Sequence, residues 1–190
     1  MLQPAHIGHL ALLRALIREG AADGNFDGDL AGDNAEASDF FAKLKRALVT
    51  GYFVEESHEG KLNIVAVPGY VYWSDDRIGG APPVGFGLFR TLEIGGYELW
   101  LAGLELSTRG EGHGRALLAA LFATPPGQKT HIVRVQRGSR YVVPLQHLLT
   151  EFGFQVVGDT ERLRWFIHAD APHELDSRVR DMIEVRHTLN

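Results

Sequence analysis

The stretch Glu105-Leu106-Ser107-Thr108-Arg109-Gly110-Glu111-Gly112-His113-Gly114-Arg115-Ala116-Leu117-Leu118 decides how the rest of the chain is read. Upstream, Tyr97–Leu106 is rich in apolar and aromatic residues and predicts a strand. Downstream, Leu117, Leu118, Leu121 and Phe122 recur at helical spacing and predict a helix over Gly114–Ala123. Between the two, Gly110, Gly112 and Gly114 alternate with Glu111 and His113, and Arg109 and Arg115 flank the run. A glycine-rich turn from a strand into a helix exposes main-chain N–H groups at the positive end of the helix dipole. The missing Cβ atoms let a ligand approach the backbone. Such a turn is a phosphate cradle. The alternative is an ordinary strand–helix connection whose glycines serve only the turn.

A dinucleotide fingerprint would place its third glycine at Arg115 or Leu117, and a P-loop needs a Gly-Lys-Ser/Thr that this stretch lacks. The spacing Arg109-x-x-Gly112-x-Gly114 instead resembles the (Arg/Gln)-x-x-Gly-x-(Gly/Ala) motif of the GNAT N-acyltransferase superfamily. A second match follows in the right order. Glu151-Phe152-Gly153-Phe154 resembles the short helix, Gly-Phe pair and strand found late in GNAT domains. The resemblance spans Pro4 to His168. It implies an α/β (α+β) fold with a mixed central sheet, a splayed parallel strand pair and helices on both faces, here with an extra C-terminal helix. The family's first strand would be very short or absent, because a helix follows Met1 almost at once.

The same resemblance implies acetyl-CoA as cosubstrate. Its pyrophosphate would lie against Arg109, Gly110, Glu111, Gly112, His113, Gly114 and Arg115. Its pantetheine arm would run along Tyr97–Leu106, with His131–Gln136 as the splayed neighbour and free main-chain groups near Leu104 and Leu106. Gly103 is the candidate for a bulge that bends the strand away. A main-chain N–H there would polarise the thioester carbonyl. The implied reaction is direct attack of an amine in a ternary complex, which requires removal of an ammonium proton. Glu105, on a strand face with Leu99 and Leu101, is the candidate base, and Glu98 is a weaker one. Many family members protonate the departing thiolate with a tyrosine four residues before the Gly-Phe pair. That position is Leu149 here, and Tyr141 upstream is the candidate substitute, its alternative being an ordinary packing role. A GNAT-like module that holds coenzyme A without efficient chemistry is the competing reading.

The chain has 190 residues, enough for a domain over 1–168 and a helical extension over 169–190. Hydrophobic residues make up 45% and charged residues 23%, as in soluble globular chains. A net charge of −5 without a Lys/Arg run argues against a nucleic-acid partner. The lack of cysteine removes disulfides, thiolate metal sites and a cysteine nucleophile from consideration. No secretory pattern follows Met1 and no apolar run approaches a membrane span, so a cytoplasmic location without a membrane partner is expected. The expected partners are a small-molecule or peptide amine, with room for a homodimer.

Pro4–Arg18 predicts a first helix, with His6 and His9 one turn apart as capping or solvated residues rather than a metal pair. The acidic stretch Gly20–Ala35 places Asp23, Asn25, Asp27, Gly28 and Leu30 as in an EF-hand loop, but its twelfth position is Asn34 instead of glutamate. Its other readings are a solvated loop, or a loop whose negative potential attracts a cationic amine. A second helix is expected over Ala35–Val49, ended by Thr50-Gly51. A strand over Leu62–Val67, broken at Pro68-Gly69 and continuing through Tyr70–Trp73, leads to the link Ser74–Pro83. Strands follow over Val84–Leu92 and His131–Gln136, then a helix from Pro144 and a closing strand pair, Phe154–Val157 and Leu163–His168. Pro172 opens a last helix carrying Leu175, Val179, Met182 and Ile183.

Overall fold

The computed structural model describes residues 1–56, 60–74 and 81–188. Most of the expected link Ser74–Pro83 lies outside them. In chain order the elements are β1 (Leu2–Pro4), α1 (Leu10–Ala22), α2 (Ala35–Thr50), β2 (Tyr52–Glu56), β3 (Leu62–Ala66), β4 (Gly69–Tyr72) and β5 (Gly85–Thr91). They continue with β6 (Tyr97–Leu104), α3 (His113–Phe122), β7 (Thr130–Gln136), α4 (Val142–Glu151), β8 (Phe154–Asp159), β9 (Leu163–His168) and α5 (His173–Thr188). Seven strands form one mixed sheet in the order β1-β4-β5-β6-β7-β9-β8, and β2 and β3 form a separate hairpin. Among the described residues only β6 and β7 run parallel, joined through α3 as a parallel connection requires.

The first strand is present but has only three residues, paired antiparallel with β4. The expected first helix begins later than Pro4. A short 3-10 turn, Ile7–His9, precedes α1 and is capped by the two histidines. His6 Nδ1 accepts from the Gly8 amide at 3.1 Å, and His9 Nδ1 accepts from the His6 amide at 3.2 Å. The meander also differs from expectation. Leu62–Ala66 pairs with Tyr52–Glu56, a strand the sequence reading missed, while Gly69–Tyr72 joins the main sheet. The change of partner falls at Pro68, which has no N–H to continue a ladder, just after the Val67 amide has turned to the Gly51 carbonyl.

Helices cover both faces. Leu117, Leu118 and Leu121 of α3 and Leu149 of α4 pack with Phe89, Leu99, Val133, Val135 and Phe166 on one face. On the other, α1 and α2 bury Leu13, Ile17, Phe41 and Leu44 against Val71, Phe86 and Leu88. Burial of each such side chain stabilises the fold by about 1.5–3 kcal/mol. The last helix packs on its own domain, setting Leu175, Val179 and Ile183 against Ile132, Trp165 and Ile167 at the other end of that second face.

Candidate functional site

The parallel ladder between β6 and β7 contains Tyr97↔Thr130, Glu98↔Ile132 and Leu99↔Val133, and then stops. Beyond it β6 stays with β5 as far as Leu104↔Gly85, and β7 stays with β9 as far as Gln136↔Leu163. Each strand follows its antiparallel neighbour, and the two open into a V. The bulge that accompanies the opening is at Trp100, not at Gly103. Leu101 faces Leu88 and Leu99 faces Phe89, leaving Trp100 as the extra residue. Gly103 lies in regular register with Phe86, where a Cβ would come within 3.0 Å of the Phe86 ring; its small size serves packing.

The Glu105 amide donates to Val84 on the β5 side at 2.8 Å. Alternation along the strand therefore turns the main-chain groups of Ala102 and Leu104 toward the V. Two of the main-chain groups expected to be free near Leu104 and Leu106 are engaged. The Leu104 carbonyl accepts from Nε and Nη2 of Arg109, both at 3.1 Å, and the Leu106 amide donates to Glu19 at 3.1 Å. The chain leaves β6 through a 3-10 turn, Leu106–Thr108, which folds Arg109 back onto the strand end and sets the Leu106 amide against Glu19 of α1.

The glycine turn has the expected form. Gly110 and Gly112 have φ of +91° and +84°, values that side-chain-bearing residues rarely adopt, and Gly112 is the N-cap of α3. A Cβ at either would meet nothing within 4 Å. The amides of Gly110, Glu111, Gly112, His113 and Gly114 make no hydrogen bond with the described residues, whereas Arg115 and Ala116 already donate to the Gly112 carbonyl. The side chains point elsewhere: Arg115 pairs with Glu151 at 2.9 Å, and His113 meets Glu111 at 3.3 Å. Unpaired amides at a helix N-terminus, with open space before them, suit a diphosphate.

Arg109 also closes the mouth of the V. Its Nη1 donates to Asp23 at 2.6 Å, and its guanidinium stands 5.3 Å from the Tyr141 ring. Arg140 adds a second guanidinium, 3.0 Å from Asp23 and 5.0 Å from the same ring. Partial burial pushes the Asp23 carboxyl up, but hydrogen bonds from Arg109 and Asn25 and the charges of Arg140 and Arg109 outweigh it and hold the group below its ordinary value. The EF-hand-like loop is thus engaged in protein contacts. Asn25 accepts from Ser139, Asp27 caps the 3-10 turn Gly28–Ala31, Asn34 caps α2, and Asp33 pairs with Arg18. No group of three or more His, Asp or Glu side chains among the described residues is placed to hold a metal ion. These contacts engage the oxygens of Asp23, Asn25, Asp27 and Asn34 that the EF-hand resemblance would assign to calcium.

Glu105 is half-buried just past the end of β6, its carbonyl accepting from the amide and hydroxyl of Thr108. Tyr141 is the N-cap residue of α4, and its hydroxyl makes no hydrogen bond with the described residues. Leu149, 1% exposed, is core. Sequence reasoning missed Glu19 and Asp23 as partners of the β6 end, and missed what holds Glu98. This carboxylate is 1% exposed and accepts from Arg90 and Arg134, each at 2.5 Å. Arg90 was open to inference as the cross-strand partner of Glu98 around the Gly95-Gly96 turn. Arg134 was not, because the register of a crossover connection carries no local signal.

No family model matches the chain, and no curated protein matches it. Solved structures do. A ribosomal-protein-alanine N-acetyltransferase from Brucella melitensis superposes with a TM-score of 0.55 at 19% identity, covering 87% of this chain and 97% of that one. PaiA N-acetyltransferase from Thermoplasma acidophilum, in complex with coenzyme A, gives 0.55 at 16% identity, covering 88% and 98%. An acetyltransferase from Thermus thermophilus gives 0.54 at 16%, covering 88% and 96%. These likenesses extend over most of each chain, and the fold of this chain is the GNAT fold.

Proposed function

We propose that the chain is an acetyl-CoA-dependent N-acetyltransferase acting on a small-molecule or peptide amine. The observation that carries this reading is the row of unpaired amides from Gly110 to Gly114 at the head of α3, beside the open edge of β6. These amides would hold the pyrophosphate, and the Ala102 edge of β6 would face the pantetheine arm. Acetyl-CoA would supply an activated acyl carbon with a thiolate as leaving group. The chain's part is then to orient the amine, accept its proton at the Glu105 carboxylate and return one to sulfur from the Tyr141 hydroxyl. One C–N bond forms and one C–S bond breaks.

Titration calorimetry with acetyl-CoA, followed by thiol release across a panel of amines, tests the reading. Saturable binding together with amine-dependent thiol release is the expected result, and failure to bind acetyl-CoA overturns it. A second reading, a coenzyme A-binding module without turnover, is favoured by Leu149 at the family's tyrosine position and by the Leu104 carbonyl being closed by Arg109. Binding without thiol release would select it.

A further inference from the structure

Four side chains stand in a row across β5, β6, β7 and β9 on the face that carries α1, α2 and α5. Glu98 accepts from Nε of Arg90 through one oxygen and from Nε of Arg134 through the other. The Arg134 guanidinium lies 5.0 Å from the ring of Trp165, its cross-strand neighbour. Trp165 is 7% exposed, and its buried indole N–H has no acceptor among the described residues.

A single carboxylate thus engages one nitrogen from each of two guanidiniums. The terminal Nη1 and Nη2 atoms of both arginines make no hydrogen bond with the described residues. Their side chains remain 24% and 23% exposed while that of Glu98 is 2% exposed. The cluster carries one excess positive charge and two planar forks with open ends. Such forks match carboxylate and phosphate oxygens, and partial burial strengthens the match.

The position fits an acceptor group. Glu98 and Arg134 bracket the last pair of the parallel ladder, Leu99↔Val133, so the cluster lies at the vertex of the V. Trp100, packed against Phe40 and Phe53, bounds it on the α2 side. The contacts of α5 with Ile132 and Trp165 bound it on the other. The acidic α1–α2 loop does not compete for an anionic ligand, because Asp23 and Asp33 are already paired with arginines.

We propose that Arg90 and Arg134, oriented by Glu98, form a receptor for an anionic group, carboxylate or phosphate, on the amine that the enzyme acylates. The acceptor role rests on the acyltransferase reading; the anion site does not. Matched pairs test it: 4-aminobutyrate against butylamine, and phosphoethanolamine against ethanolamine. Each is measured by calorimetric binding to the full chain and by thiol release with acetyl-CoA.

The member of a pair that carries the anionic group is expected to bind about tenfold or more tightly than the partner that lacks it, as charge-assisted hydrogen bonds imply. Whichever anion binds better identifies the headgroup. Arg134→Lys keeps the charge but loses the fork, and should weaken the member that carries the anion about tenfold while leaving the partner that lacks it unchanged. Arg90→Lys, on the other arm of the receptor, should weaken the member that carries the anion in the same way. Equal binding within both pairs, or equal losses for both members in both variants, would make the cluster a structural ion triad only and overturn the proposal. Circular dichroism confirms that each variant is folded. Anion binding without acetyl-CoA binding would remove the acyltransferase reading and leave the receptor standing; the reverse result would remove the receptor alone.

Discussion

The Arg109 guanidinium caps the carbonyl of Leu104, with Nε and Nη2 both 3.1 Å from the oxygen, while its Nη1 holds Asp23 at 2.6 Å. One side chain therefore joins the strand end to the end of α1. This geometry needs a fork. Arg109→Lys should lower stability by about 1–3 kcal/mol in urea denaturation, because one ammonium cannot serve an oxygen and a carboxylate that lie on different edges of the guanidinium. A lysine variant as stable as the parent chain would refute the tie.

The pH dependence of the same contact follows from Asp23. Its folded value is depressed, so its contribution is complete above the unfolded value of about 3.9 and is lost as pH falls through the folded value. Asp23→Asn should melt at a lower temperature than the parent at pH 7, and the gap should close in acid below about pH 4. Parallel melting curves over that whole range would count against it.

His131 titrates with the opposite consequence for its neutral form. Burial first, then the neighbouring His168 charge, lowers its folded value, so the neutral ring is favoured in the fold. No penalty exists above the unfolded value of about 6.5; the penalty grows as pH falls below that value and levels off below the folded one. His131→Gln should flatten the loss of stability between neutral pH and about pH 5, read by thermal melts in a pH series.

Gly112→Val should separate binding from folding. A branched side chain at φ +84° is strained by about 1–2 kcal/mol although nothing crowds its Cβ, and relief of that strain displaces the amides on either side. Acetyl-CoA affinity should fall about tenfold or more by calorimetry while the fold persists. Unchanged affinity would place the cofactor elsewhere.

Removing the proposed proton carriers should affect turnover rather than binding. Glu105→Gln and Tyr141→Phe should each lower kcat by about a hundredfold or more, with acetyl-CoA affinity unchanged. If Tyr141→Phe keeps full activity, the thiolate leaves without help from this residue.

Features governed by local chemistry were legible before the fold was known. The Gly110-Glu111-Gly112-His113-Gly114 run dictates a tight strand-to-helix turn whatever surrounds it, and the helical spacing of Leu117, Leu118 and Leu121 dictates the buried face of α3. The closing pair could be read over Phe154–Val157 and Leu163–His168, and the structure carries its first strand on to Asp159. The bulge could not, because Gly103 and Trp100 are both admissible hosts. Only the pairing of Leu88 and Phe89 with Leu101 and Leu99 selects Trp100.

The sequence by itself determined where the backbone must bend, which faces of the helices are apolar and where free amides gather, since these depend on neighbours a few positions apart. The tertiary structure alone decided what each charge meets. Arg109 lies 86 residues from Asp23 and Arg134 lies 36 residues from Glu98; the first pair forms only when the end of α1 docks beside the end of β6, the second only when the crossover through α3 fixes the register of β7 against β6. Electrostatic contacts are set by distance in space, and spacing along the chain carries no record of it.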